Sequence, residues 1–262
     1  MEAYRSDSYG EAFADVYDEW YRNLDDVESV IAFVTDELAA SGDSGGTGRG
    51  NPALLELGVG TGRLALPFAN AGWRVTGIDS SRAMLERLAA KDPSATVTTV
   101  LGDMVDDIPG GPFDVVLAGY NTIFNVLTAE RQRELFRRVA GVLARDGCFV
   151  VEAFVPDDPP RTGSDLIVRS IAAEAIVLHA SVHEPDHQRA HGQFIEITEA
   201  GGVRLRPWSI RYAGPAELDE MAAAAGMALS TRVASTDRAA FDDDSSHHIA
   251  VYRMAVYRMN AQ

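Results

Sequence analysis

The stretch Leu54-Leu55-Glu56-Leu57-Gly58-Val59-Gly60-Thr61-Gly62-Arg63 constrains this chain more than any other. Its apolar run stops at a glycine-rich turn and an amphipathic segment follows, so a buried strand must give way to a turn and then to a helix. Glycines bring bare backbone to the strand's C-terminal edge, where a flat ligand can lie close and a helix N-terminus offers unpaired N–H groups. An adenosine-containing ligand suits such an edge.

Glycine spacing narrows that ligand. A dinucleotide fingerprint reads G-x-G-x-x-G, its last glycine allowing close packing of helix on strand. Here the third glycine comes one residue early and Arg63 stands where the dinucleotide pattern has glycine, which argues against NAD. A carboxylate at Glu56 would repel a pyrophosphate and suits a cation instead. A sulfonium carries that charge.

On three motifs in order the sequence resembles the class I S-adenosylmethionine-dependent methyltransferases. Glu56-Leu57-Gly58-Val59-Gly60-Thr61-Gly62 is similar to their first motif, and Asp79, ending Val75-Thr76-Gly77-Ile78-Asp79, to the acidic residue that holds the ribose hydroxyls. Asp103 in Leu101-Gly102-Asp103-Met104 is similar to the acidic side chain near the adenine amino group. The resemblance implies S-adenosylmethionine as cofactor, with Glu56, Gly58, Gly60, Gly62, Asp79, Ser80, Asp103 and Met104 among its contacts.

Composition bounds the rest. With 262 residues, 46% of them hydrophobic, the chain can bury a large interior. No apolar stretch approaches the roughly 20 residues that span a bilayer, and the first residues lack the blocks of a signal peptide, so a cytoplasmic protein is expected. A formal net charge of −16 repels polyanions, so no nucleic-acid partner is expected. The single cysteine, Cys148, sits in an apolar run and reads as a small core residue. The expected partner is a small-molecule substrate, with no membrane, and a homodimer stays open.

From residue 52 short apolar runs alternate with amphipathic helices, the pattern of an α/β, Rossmann-like, doubly wound and mostly parallel sheet. Strands are expected at 53–57, 74–78, 96–101, 113–118, 147–155, 227–234 and 247–254, and helices at 62–71, 81–90, 129–144 and 215–225. Ahead of this core, 9–21 and 26–40 carry helical patterns, separated from it by a Gly/Ser-rich connection at 41–51. Long β-type runs at 166–181, 191–198 and 203–212 suggest an antiparallel insertion over the cofactor rim. The expected organisation is an N-terminal helical lid (1–40), a cofactor-binding core (52–158), inserted substrate-binding strands (159–212) and the end of the core sheet (213–262). Ala250-Val251-Tyr252-Arg253-Met254 is repeated at once over 255–259; a five-residue repeat sends equivalent strand side chains to opposite faces, so it reads as a duplication without chemistry.

Methyl transfer from a sulfonium is an in-line displacement, so a protein contributes mainly alignment and water exclusion, together worth up to roughly 7 to 11 kcal/mol. A lid and a base are therefore the residues to find. Tyr17, Trp20 and Tyr21 supply aromatic faces for a cationic methyl donor or, equally, a packing stripe. Their segment is similar to the N-terminal part of the amino-sugar N,N-dimethyltransferases of macrolide pathways, which implies that Tyr21 approaches the transferred methyl. Tyr120 and Asn121 follow the fourth core strand and are candidates for binding methionine or substrate. Glu152, closing the fifth, could orient an amine or act as base. His179, His183, His187 and His191 recur every four residues, but Pro185 breaks the helix that metal binding would need, so no metal is expected. His183 or His179 is the favoured substrate-facing base. His247 and His248, beside Asp242, Asp243 and Asp244, read as a solvated loop and strand start. The function expected is methyl transfer to an N or O atom of a small metabolite, in natural-product biosynthesis. Two alternatives are a cyclase or rearrangement enzyme that keeps the cofactor without transferring methyl, and a non-catalytic cofactor-binding module.

Overall fold

The structure, a computed structural model, describes residues 3–22, 26–40 and 50–255. Its N-terminal part holds two short helices, α1 (Ser8–Phe13) and α2 (Tyr17–Trp20), in place of the single helix expected over 9–21. Asp15 lies in the break, where its carboxylate meets Arg206 at 2.6 Å and Arg204 at 2.7 Å. Helix α3 (Val27–Ala39) begins at Asp26, whose side chain accepts from the Glu28 N–H at 3.1 Å, and buries Val30, Phe33 and Val34 on the core.

The core then runs β1 (Ala53–Leu57), α4 (Ala65–Asn70), β2 (Arg74–Asp79), α5 (Arg82–Lys91), β3 (Val97–Leu101), β4 (Phe113–Ala118), α6 (Ala129–Val142) and β5 (Leu143–Phe154). All five residues of β1 are buried, as a strand covered on both faces by helices requires. Ser81 and Thr128 cap α5 and α6, accepting from the Met84 and Arg131 N–H groups at 3.2 Å each. Helix α4 starts at Ala65 rather than at 62, because Gly62 still belongs to the turn, with φ +84 and its N–H on the Val59 carbonyl.

An insertion follows: β6 (Gly163–Ile171), β7 (Ala175–Glu184), β8 (Arg189–Thr198) and β9 (Gly202–Arg211), a separate antiparallel sheet in the order β6-β7-β8-β9. The run expected over 166–181 is two strands, joined where the Ala172 N–H meets the Ala175 carbonyl at 2.8 Å. Helix α7 (Pro215–Ala224) returns the chain to the core, and β10 (Met227–Val233) and β11 (His247–Met254) complete a seven-stranded sheet ordered β10-β11-β5-β4-β1-β2-β3. Strand β11 is antiparallel to both neighbours, whereas β5, β4, β1, β2 and β3 are parallel to one another. Their C-terminal ends therefore share one rim.

His248 corrects the reading of a solvated strand start: it is fully buried, and burial lowers its imidazole to about 4. Cys148 packs in the core between strands, its thiol pushed up to about 12 by burial. The second copy of the repeat, apart from Ala255, and most of the connection at 41–51 lie outside the described residues.

Candidate functional site

The turn after β1 forms one wall of the rim cavity. Gly58 sits at φ +63, and a Cβ there would lie 2.7 Å from the Thr122 side chain, so glycine is required by conformation and by space together. Gly60, at φ +53, would place a Cβ no closer than 3.9 Å to anything, because it faces an open cavity. Its N–H donates to one Asp79 carboxylate oxygen at 2.9 Å, and the Ser81 N–H donates to the other at 2.8 Å. Asp79 thus ties the turn to the start of α5 while lining the same cavity, and burial raises its carboxyl above the usual carboxylate range.

Behind the turn lie two buried polar atoms without hydrogen-bond partners among the described residues. Glu56 is buried, one of its oxygens meets no hydrogen-bond donor among the described residues, and burial pushes its carboxyl up to about 8 against the pull of Arg63. Arg63 in turn holds a buried Nη1 without an acceptor among the described residues. Both act electrostatically on Tyr17, which lines the cavity. A buried acceptor and a buried donor side by side match the ammonium and carboxylate of an amino acid moiety.

Glu56 and Arg63 stand behind Tyr17 and outside the cavity lining, and the second wall is the loop after β4. Tyr120 at φ +44 and Asn121 at φ +61 are both left-handed without being glycine. Three hydrogen bonds from β5 hold them so. Tyr120 N–H donates to the Glu152 carboxylate at 2.8 Å, Asn121 N–H to the Glu152 carbonyl at 2.9 Å, and Phe154 N–H to Asn121 Oδ1 at 2.7 Å. Glu152 therefore shapes the rim loop from behind and is absent from the cavity wall, whereas Tyr120 and Asn121 are part of it.

These walls and two roofs enclose a cavity of about 300 Å³. One roof is the N-terminal segment, in which Tyr9, Tyr17 and Tyr21 face Tyr120. The Tyr9 hydroxyl meets that of Tyr21 at 3.1 Å, and the rings of Tyr17 and Tyr21 are 4.8 Å apart. Burial holds the Tyr9 and Tyr17 hydroxyls above their usual range, so they stay protonated. Asp18 fastens this roof to the turn through Thr61 at 2.5 Å and to α5 through Lys91 at 2.9 Å, and Glu11 accepts from Ser81 Oγ at 2.8 Å. The other roof is the inner face of the inserted sheet, with His179, Phe194, Trp208 and Ile210. His179 stacks on Phe194 with centroids 4.4 Å apart, and burial, aided by Arg169, lowers its imidazole below the ordinary histidine range.

The remaining candidates fall elsewhere. Trp20 lies in the seam between the N-terminal segment and the inserted sheet, 5.7 Å from Phe194 and under the guanidinium of Arg169, not in the cavity wall. Asp103 ion-pairs with Arg131 at 2.8 Å and borders an adjoining depression that Ser80 shares, while Met104 lines the cavity itself. His183 lines a second cavity of about 300 Å³ on the far side of Trp208 and Ile210. It shares a strand face with His179, but four residues along a strand are roughly 13 Å, so only one of the two reaches the main cavity. His187 sits in a turn and His191 faces away, paired in register with Val182, so the four-residue spacing gathers no common face. Arg63, Tyr9, Phe194 and Trp208 were not singled out by sequence as site residues. Tyr9 continues the spacing Tyr9, Phe13, Tyr17, Tyr21 and could have been found by it; Phe194 and Trp208 enter through cross-strand register, which leaves no local signal.

Comparison with known proteins identifies this arrangement. A family profile described as a methyltransferase domain matches residues 54–147. The solved structure of the CcbJ methyltransferase from Streptomyces caelestis is 37% identical, aligns over 97% of this chain and 100% of its own, and superposes with a TM-score of 0.85. The chain belongs to the S-adenosylmethionine-dependent methyltransferases. Its cofactor is S-adenosylmethionine, and the orphaned Glu56 and Arg63 atoms beside bare Gly58 and Gly60 fit that group. The cypemycin N-terminal methyltransferase of a Streptomyces species is 30% identical over 157 residues, 60% of each chain. An uncharacterized methyltransferase of Bacillus licheniformis is 39% identical over 104 residues, so this chain spans about half the length of that relative. The S-adenosylmethionine-bound amino pentose methyltransferase CalS10 of Micromonospora echinaspora, at 20% identity over 92% of this chain and 97% of its own and a TM-score of 0.68, shares the fold.

Proposed function

We propose that this methyltransferase methylates a nitrogen or oxygen atom of a small metabolite in natural-product biosynthesis, with an amine as the favoured acceptor. The observation that carries the proposal is the cavity itself, about 300 Å³, running from the glycine turn and Asp79 to the aromatic inner face of the inserted sheet. Its size and its two roofs suit a small molecule. The cypemycin relative, named for methylating an N-terminus, supports an amine.

S-adenosylmethionine supplies the transferable methyl on its sulfonium sulfur. Glu56 and Arg63 would hold its ammonium and carboxylate, Asp79 would hold the ribose hydroxyls, and Met104 and Ser80 would lie toward the adenine. Tyr17, Tyr21 and Tyr120 present aromatic faces, which attract a cation and exclude water. Phe194 and Trp208 grip the acceptor from the other roof. His179, kept neutral by burial, receives the proton that the acceptor atom loses. Glu152 positions Tyr120 and Asn121 through the backbone and is no base in this reading.

Replacing Trp208 by alanine tests the division of labour between the two roofs. Calorimetric affinity for S-adenosylhomocysteine should stay at the wild-type value while the KM for the acceptor rises. Loss of cofactor affinity with an unchanged acceptor KM would contradict the placement.

A further inference from the structure

The inner face of the inserted sheet continues past the main cavity, and we infer that it holds a second part of the acceptor, a neutral apolar unit seated in the cavity beyond Trp208. That this ligand is the methyl acceptor rests on the reaction proposed above; the site itself does not.

Pairing register lays three rows across the inner face. His179 and Phe194 stand in the first, which lines the main cavity, and Gly192 and Trp208 in the second. The third row, His183, Ala190 and Ile210, lines the other cavity of about 300 Å³. Trp208 and Ile210 line both cavities, so one molecule can touch them from either side. A Cβ at Gly192 would come within 2.9 Å of the Trp208 ring, so a bare residue there lets the indole lie down against the sheet. The opposite walls are continuous as well. Asn121, in the wall of the main cavity, accepts from the Phe154 N–H at 2.7 Å, and Phe154 begins the stretch 154–161 that closes the other cavity together with Tyr212. The main cavity has to hold S-adenosylmethionine and the reacting group together, so an acceptor of more than one unit extends past Trp208. From the first row to the third is roughly 13 Å.

The lining sets the chemistry of what lies there. Phe154, Trp208, Ile210 and Tyr212 offer ring and alkyl surface, with the Phe154 and Tyr212 centroids 6.4 Å apart. The charged side chains of the lining, Asp157 and Arg161, meet each other at 2.6 Å and are 56% and 67% exposed, so they stand at the mouth. His183 is engaged by Ser181 at 3.3 Å, with Asp165 3.7 Å away. A phosphate or carboxylate placed inside would have to displace Asp157 to gain a partner, and an ammonium would have to displace Arg161; left unpaired, either would carry the cost of a buried charge. A neutral apolar unit meets neither cost.

The test is calorimetry on the full chain saturated with S-adenosylhomocysteine, with benzylamine, octylamine and phenyloctylamine as probes. The last carries a ring on a chain long enough to cross from the first row to the third. Phenyloctylamine should bind about ten-fold or more tighter than octylamine, as burial of a ring requires. Ala190→Phe fills the second cavity from the sheet side and should remove that advantage while benzylamine keeps its affinity. Should Ala190→Phe fail to fold, Ser246→Trp fills the cavity from an exposed position of its lining, where no core packing is lost, and should do the same. Affinity for S-adenosylhomocysteine should stay at the wild-type value in both. Equal binding of octylamine and phenyloctylamine by wild type, or an advantage that survives in the folded, filled variants, would overturn the inference. Binding is read without turnover, so amines that bind in this manner and go unmethylated would support the second site and count against the reaction alone.

Discussion

Glu56 carries the sharpest prediction at the residue scale. Its carboxyl is raised from 4.5 to about 8 by burial, so near neutral pH it is largely protonated in the cofactor-free protein. Pairing with an ammonium requires the ionised form, so cofactor binding should release a proton and the affinity should climb with pH, levelling above about 8. Calorimetry in buffers of different ionisation enthalpy measures that proton, and Glu56→Gln should abolish it. The same shift has a stability consequence. A folded-state value above the unfolded one favours folding fully below about 4.5 and loses that contribution as pH rises from there through about 8, so Glu56→Gln should flatten the fall in melting temperature over that range. His179 is displaced in the opposite direction, with its neutral form favoured by burial. The acidic limb of kcat should therefore lie below the ordinary imidazole range, and His179→Asn should lower kcat by about 10²- to 10⁴-fold. A limb at or above that range would assign the proton to another group. Glu56 was legible in the sequence as a carboxylate beside the turn. Arg63 served there only to argue against a dinucleotide, because its orphaned nitrogen appears only once the turn is folded.

At the scale of elements, the two roofs are joined to each other and to the core by few, identifiable contacts. Arg206 is 1% exposed and bridges Asp15 of the N-terminal segment to Glu196 of β8. Arg206→Met leaves two acids facing each other without a partner, and since both stay partly exposed the cost should be roughly 2 to 3 kcal/mol in urea unfolding, below that of a fully buried pair. Asp18 reaches both Thr61 and Lys91, but the lysine pair is half exposed and contributes little. Asp18→Ala should therefore weaken cofactor binding by the Thr61 bond alone, about 1 kcal/mol. The core elements were legible because parallel strands buried on both faces read as unbroken apolar runs, and Ser81 and Thr128 announce their helices. The hairpin between β6 and β7 was not, since Ala172, Ala173 and Glu174 offer no glycine, proline or asparagine to mark a turn. The break between α1 and α2 was hidden for a different reason: it is made by Asp15 reaching an arginine 191 positions away.

For the whole molecule, a seven-stranded sheet supplies the edge that carries the glycine turn and a four-stranded sheet supplies the second roof of the cavity. The sequence pointed to an insertion over the rim, while the side of it that lines the cavity follows from pairing register. The central claim is methyl transfer to a small molecule held between those sheets. Incubating the protein with methyl-labelled S-adenosylmethionine and an extract of its host, followed by separation into metabolite, protein and nucleic-acid fractions, tests it most directly. The account predicts label in a low-mass metabolite with S-adenosylhomocysteine released in equal amount. Label confined to protein or nucleic acid, or product formed without S-adenosylhomocysteine, would contradict it.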